Sequence, residues 1–347
     1  MKPGLFVRLL LCVLLGIIVY FIAVPPNEYN VKLADKVTPR HSLDKSQKSA
    51  GLFTFIGMAA DEVERRLGTP KRIDPSAYQY EWWVYEDDVS YLLVGVEEKE
   101  VVTLFVSGRN FPTAPFHLGA KRDNIEALSK MNDTLSLTNE YGHFQFTLSE
   151  EDMSAKPIVS YNDHFLQLYF DTETDQLSSL RVMTGEIALR QRPYAMTYRG
   201  ELPQEEEIAQ EEQRQIDTAN ATQIFEMTNV LRKRYDKLPF KWNEETAKVA
   251  KKHSIDMKTD NYFSHESPTA GDLGDRLATG DVPYKLAGEN IASQYIDGPA
   301  AVEGWLNSPG HREALLHDNF TRLGVGVYFR YYTQNFVQTW ADASAAE

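Results

Sequence analysis

The chain has 347 residues, 42% hydrophobic and 25% charged, with a formal net charge of −14 and one cysteine. That length suits two domains, since single domains usually run to about 100–200 residues. The acidic balance repels phosphate backbones and argues against nucleic acid as a partner, and a lone cysteine rules out an intrachain disulfide. Residues 31–220 carry 20 basic against 32 acidic side chains and residues 221–347 carry 14 against 17, so the acidity belongs to the middle of the chain.

Residues 9–24 form an uninterrupted run of apolar or neutral residues, preceded by Lys2 and Arg8 and followed by Pro25 and Pro26. A spanning helix typically needs ~17–25 residues, and extension back to Gly4 with Arg8 snorkelling reaches that length. The alternatives are a cleaved signal peptide and an uncleaved anchor. No small-x-small cleavage pattern follows, and bulky Tyr20, Phe21 and Ile22 close the stretch, which favours a single-pass membrane anchor over residues 1–26. Positive charge on the N-terminal side keeps that end in the cytoplasm and places the bulk of the chain outside it. Cleavage would make the chain a secreted one. Cys12 lies inside the run behind Leu11, where lipidation would want a small residue. Residues 27–50 are polar and read as a flexible tether.

Residues 51–192 read as an α+β domain built of two helix-plus-three-strand repeats. The first copy opens at Phe55-Ile56-Gly57, has a helical pattern through Val63 and Leu67, and stops at Gly68, Thr69 and Pro70. Strand-like runs follow at 78–85, 91–96 and 101–106. The second opens at His117-Leu118-Gly119, has a helical pattern through Ile125 and Leu128, and continues with runs at 142–148, 165–170 and 177–183. Trp82 and Trp83 are adjacent on a strand, so they point to opposite faces.

Residues 193–219 form an acidic, Gln-rich segment expected as a solvated helical linker, because carboxylates spread around a helix do not converge on a metal. In residues 220–343, Ile224, Val230 and Leu231, followed by Leu238 and Trp242, outline a first helix and its packing. Ala247, Ala250, Ser254 and Met257 give a second helix a narrow face that allows close approach to a sheet. Residues 300–306 form another helix ended by Asn307. Ser308 then suits an N-cap with Pro309 at N1, which puts His311 in the first turn of a new helix. Runs at 323–331 and 333–340 read as a strand pair. Together these elements predict an α/β fold, an α/β/α sandwich.

Three polar, turn-rich contexts stand out in this region: Tyr262-Phe263-Ser264-His265-Glu266-Ser267-Pro268, Ala287-Gly288-Glu289-Asn290-Ile291-Ala292, and Trp305-Leu306-Asn307-Ser308-Pro309-Gly310-His311-Arg312. In order and spacing they resemble the signature segments of the CAP superfamily, which groups cysteine-rich secretory proteins, antigen 5 and pathogenesis-related 1 proteins. The resemblance covers about residues 222–341. The preceding domain resembles, through Leu67-Gly68-Thr69-Pro70 and Tyr80-Glu81-Trp82-Trp83-Val84-Tyr85, the one commonly found before the CAP domain in bacterial members.

The resemblance implies a cleft lined by two histidines and two acidic residues, of which His265 and Glu289 match directly. Tyr331 stands where many eukaryotic members have the second histidine, and Ser308 where they have the second acid. His311, from a Gly-His-Arg segment typical of bacterial members, and Glu303 are the candidates to complete the set. A carboxylate beside two imidazoles can fix a tautomer, share a proton, or coordinate a divalent metal such as zinc through His265, His311 and Glu289. His253 and His317 sit on helical patterns and read as surface or packing residues. No Gly-x-Ser-x-Gly, phosphate-cradling Gly-rich loop or His-Glu-x-x-His occurs. The expectation is therefore a membrane-anchored, extracytoplasmic cell-envelope protein that binds an envelope ligand or protein through this cleft. A metal-assisted hydrolase or protease using the same His/Glu set is the alternative.

Overall fold

Two copies of one unit build the N-terminal sheet, and a strand pair joins them. In the computed structural model, which describes residues 22–23, 51–204 and 206–344, seven strands lie in the order Arg72–Pro75, Glu81–Asp87, Ser90–Glu97, Glu100–Gly108, Gln176–Met183, His164–Asp171, Ile158–Tyr161. Every pairing is antiparallel, and the copies meet with Leu180 opposite Val106. Their equivalence is clearest ahead of each helix. The Gly57 N–H donates to the Val101 carbonyl (2.8 Å) and Val101 returns a bond to Met58 (3.0 Å); Gly119 and Leu177 (2.8 Å), with Ala120 (2.9 Å), repeat the pattern. Both glycines turn the chain at positive φ, 77° and 83°, which a side chain would resist.

The first copy meets its expected strands, and the second departs at one of them. Gly142–Thr147 does not enter the seven-stranded sheet; it is the middle strand of a separate sheet, between Thr134–Asn139 and Ala195–Gly200. That hairpin is an insertion within the repeat, and Ile158–Tyr161 takes the vacated place at the edge. Trp82 and Trp83 alternate as a strand requires: Trp82 is buried toward the C-terminal domain, while Trp83 packs half-buried on the opposite core.

In the C-terminal domain the strand order is Lys241–Trp242, Arg322–Tyr328, Tyr331–Gln338, Leu286–Ser293, with Ile22–Ala23 pairing at the outer edge. The rest of the apolar run expected as an anchor lies outside the described residues. Among the described residues no helix is long and apolar enough to cross a membrane. Helix Glu244–Thr259 covers one face through Ala247, Ala250, Ser254 and Met257, all buried. It rests on the strand backbone itself: a Cβ at Gly324 would lie 2.2 Å from the Ala247 nitrogen, and one at Gly326 1.9 Å from that of Lys251. Helices Gln210–Arg234, Gly298–Leu306 and Pro309–Leu316 cover the other face, so the expected sandwich is formed.

Segment 193–219 does more than link. Ala195–Gly200 is a strand, and residues 210–219 are the opening turns of the helix Gln210–Arg234, with Gln213, Ile216, Asp217 and Ala219 buried. The Asp217 carboxylate accepts from the Phe329 N–H at 2.9 Å. Ile224, Val230 and Leu231 are buried as expected, but Leu238 is 81% exposed because the helix ends at Arg234 and Leu238 sits in the loop beyond it. Trp242 stays partly exposed, edge-on to Phe225 at 5.3 Å.

One apolar cluster crosses the boundary between the domains, joining Trp82, Tyr91 and Phe105 to Ile224, Met227, Trp305 and Tyr332. Burying a large apolar side chain of this kind contributes roughly 1.5–3 kcal/mol. Polar contacts surround the cluster: Arg181 grips Asp297 (2.8 and 2.7 Å), Arg312 grips Asp171 (2.9 and 3.2 Å), and Gln223 reaches Asp74 (2.8 Å).

Candidate functional site

Glu289, midway along the strand Leu286–Ser293, is 1% exposed and holds the site together. Its carboxylate accepts from Arg276 through both oxygens (2.8 and 3.1 Å) and meets His265 Nδ1 at 2.9 Å. Arg276 also donates to the His265 carbonyl at 2.7 Å, so one guanidinium fixes both the acid and the loop that carries the imidazole. Burial pushes the Glu289 pKa up, but Arg276, the His265 hydrogen bond and nearby His253 outweigh it and bring it down to about 2.

His253 takes the packing role among the two its helical pattern allows. It is 1% exposed on helix Glu244–Thr259, its Nε2 lies 3.0 Å from the Ser264 carbonyl and 3.9 Å from Glu289, and burial lowers its pKa to about 4 against the pull of Glu289. It sits behind His265 as a neutral ring that ties the loop to the helix. Arg276 carried no functional signal. The Asp272 and Asp275 capping box starts its short helix, yet nothing in that pattern says the next side chain reaches a strand.

His311 faces His265 from the neighbouring helix. It lies in the first turn of Pro309–Leu316, as the Ser-Pro pattern predicts, with its ring centroid 6.4 Å from that of His265. Ser308 does not cap the helix with its side chain; its hydroxyl pairs with His311 Nδ1 at 2.9 Å. Asn290 donates to the His311 carbonyl (3.1 Å) and to Gln334 (3.2 Å), holding that turn against the sheet. Burial, with His265 nearby, lowers the His311 pKa to about 4, so the ring is neutral at pH 7.

Two of the candidates lie elsewhere. Tyr331 pairs with Ser293, whereas Glu289 pairs with Asn335, four residues further along the strand; at ~3.3 Å per residue that is about 13 Å from Glu289. Glu303 points across the domain boundary, where the Ser178 and Ser179 hydroxyls donate to its Oε1 at 3.0 and 2.7 Å. Its Oε2 has no partner, and burial raises its pKa to about 7 in spite of the serines and Arg234. Neither placement is visible in sequence, because each depends on register or on the neighbouring domain.

A resident metal fits these residues poorly. A catalytic zinc needs about three protein ligands, and both Glu289 oxygens are committed to a guanidinium that would repel a cation. Among the described residues no three His, Cys, Asp or Glu side chains are grouped to hold a metal. Beside the cleft, a cavity of about 570 Å3 opens between the domains, lined by His311, Ser308, Tyr295 and Glu303 on one side and by Lys156, Gln167 and Tyr169 on the other.

Comparison with known proteins places both halves. Residues 56–194 match the CAP-associated N-terminal family and residues 225–340 the cysteine-rich secretory protein family. The chain is 41% identical over 351 residues to the membrane protein YlbC of Bacillus subtilis, covering 98% of this chain and all of that one. It is 38% identical over 122 residues to B. subtilis YkwD, covering 35% of this chain and 48% of the other. Among solved structures, an extracellular protein containing an SCP domain from Bacillus anthracis is 42% identical with a TM-score of 0.81, covering 88% of this chain and all of that one. The chain thus belongs to the cysteine-rich secretory protein (CAP) family, in the arrangement that sets a CAP-associated domain ahead of the CAP domain.

Proposed function

We propose that this protein is an extracytoplasmic binding protein of the cell envelope, held at the membrane by the apolar segment that precedes the strand Ile22–Ala23, with the CAP cleft as its ligand site. The observation that carries the reading is the saturated carboxylate. A general base works best with a pKa near the working pH, whereas Glu289 is held at about 2 by Arg276 and His265. It is built to fix His265 in one orientation and not to take a proton itself. The likeness to a membrane protein and to an extracellular protein supports the location.

The test uses the full chain expressed in B. subtilis. It should sediment with membranes and be digested when protease is added to intact protoplasts. Recovery in the cytoplasm, shielded from the protease, would sink the reading.

One contact favours a second reading, a hydrolase. The Ser308 hydroxyl and His311 Nδ1, 2.9 Å apart, form a nucleophile–base pair of the kind that activates serine. The low His311 pKa weakens that base. Covalent labelling of the purified chain by a fluorophosphonate, lost in Ser308→Ala, would establish it in place of the binding reading.

A further inference from the structure

We propose that the cavity between the two domains is a binding site for a short neutral saccharide, and that the N-terminal domain exists in part to form its second wall. This deepens the binding-protein reading and rests on it. The cavity of about 570 Å3 is lined from the CAP side by Tyr295, Ser308 and His311 and from the other side by Ala155, Lys156 and Tyr169. Its size falls within the ~300–1,000 Å3 of small-ligand sites. Neither domain encloses it alone.

Charge decides the ligand class. The acidic lining residues are Glu151, Asp152 and Glu303, and the basic ones Lys156, Arg192 and Arg330, so the signs balance when Glu303 is ionised and leave one positive charge when it is protonated. Asp152 is paired with Lys156 at 3.0 Å. Arg330 spends two nitrogens on the Tyr295 and Gln294 carbonyls, at 2.9 and 2.7 Å. Glu303 is turned to its serines. An ionic ligand would lose its hydration for at most one opposite charge.

What the walls offer is uncharged hydrogen bonding at Ser308 and His311 together with ring surface. Phe263, two residues before His265, lines the same cavity while remaining 38% exposed, so its ring face is open to a ligand's C–H surface. Hydroxyls with apolar C–H faces match this mixture. A peptide would seek free strand backbone, and the Ile291 carbonyl on the lining strand is already taken by Trp305 Nε1 at 3.0 Å.

The experiment is calorimetric titration of the detergent-solubilised full chain with chitotetraose and maltotetraose, against tetragalacturonate and tetra-alanine. At least one neutral saccharide should bind, and neither control should. Ala155→Trp, which fills the cavity from the N-terminal wall, and Phe263→Ala should each weaken binding by about tenfold or more. Should Ala155→Trp fail to fold, Glu151→Trp at an exposed position of the same wall replaces it. Silence with both neutral saccharides, preference for either control, or full affinity in the wall variants overturns the proposal. Mass spectrometry of the recovered saccharide separates the two claims: cleavage would sink the binding-protein reading and leave the site standing, whereas absence of binding sinks the site and leaves the protoplast result to judge the reading.

Discussion

Glu289 and Glu303 are carboxylates of one domain, each 1% exposed, and they are driven in opposite directions. Burial raises both. At Glu289 a bidentate guanidinium and an imidazole overcome it, and the pKa falls to about 2. At Glu303 two serine hydroxyls and a more distant Arg234 do not, and the pKa stays at about 7. In this domain a cation in contact keeps one buried acid charged where two hydroxyl hydrogen bonds leave the other near its midpoint at neutral pH. The cleft is thereby a locked site, while the boundary with the N-terminal domain carries a group that titrates near neutrality.

The strongest way to break the contrast is Arg276→Met. It leaves Glu289 buried without its counter-charge, and loss of one partner of a buried pair typically costs about 3–5 kcal/mol. Urea denaturation at pH 7 should show a loss of that order; a loss below about 1 kcal/mol would mean that Arg276 does not anchor the site.

The pH dependence comes next. Glu303 has its pKa raised from 4.5 to about 7 on folding, so its contribution is fully present below pH 4.5 and is lost as pH rises through 7. The cost of ionising it in the folded state approaches about 3 kcal/mol at pH 8. Glu303→Gln should match the wild type at pH 5 and gain on it by up to that amount at pH 8. Glu289, lowered from 4.5 to about 2, behaves inversely: its contribution is present above pH 4.5 and is lost as pH falls through 2. If the difference between Glu303→Gln and wild type stays flat from pH 5 to 8, the carboxyl is not titrating in that window.

The sequence pointed to Glu289 directly and to Glu303 only as a candidate to complete the set, and what separates them is physical. Local pattern carried the elements well: the small-residue face at Ala247, Ala250 and Ser254, the Ser-Pro start of the helix bearing His311, and the doubled unit around Gly57 and Gly119 all depend on short-range geometry. It also placed His265 and Glu289 together, by resemblance to a family. What stayed hidden required partners distant in the chain. Glu303 meets serines 124 and 125 residues away, and His253 is buried because the loop of Ser264 folds over it. Tyr331 misled because a motif match says nothing about register, and four residues along a strand take a side chain out of reach.

The finest probe of the contrast is Ser179→Ala, which removes the shorter of the two bonds to Glu303, 2.7 Å long. A neutral hydrogen bond contributes a net ~0.5–1.5 kcal/mol, whereas one to an ionised group contributes about 1.5–3. The two values apply on either side of the Glu303 titration. Ser179→Ala should therefore cost little near pH 5, where the carboxyl is protonated, and about 1 kcal/mol more near pH 8, where the oxygen is charged and only Ser178 remains to donate. The same substitution in a Glu303→Gln background should cost the same at both pH values, because an amide does not titrate. A double-mutant cycle measured by urea denaturation at pH 5 and pH 8 isolates that difference. A coupling that does not grow with pH would show that the serines pack against Glu303 without stabilising its charge, and that the titrating group of the domain boundary is another one.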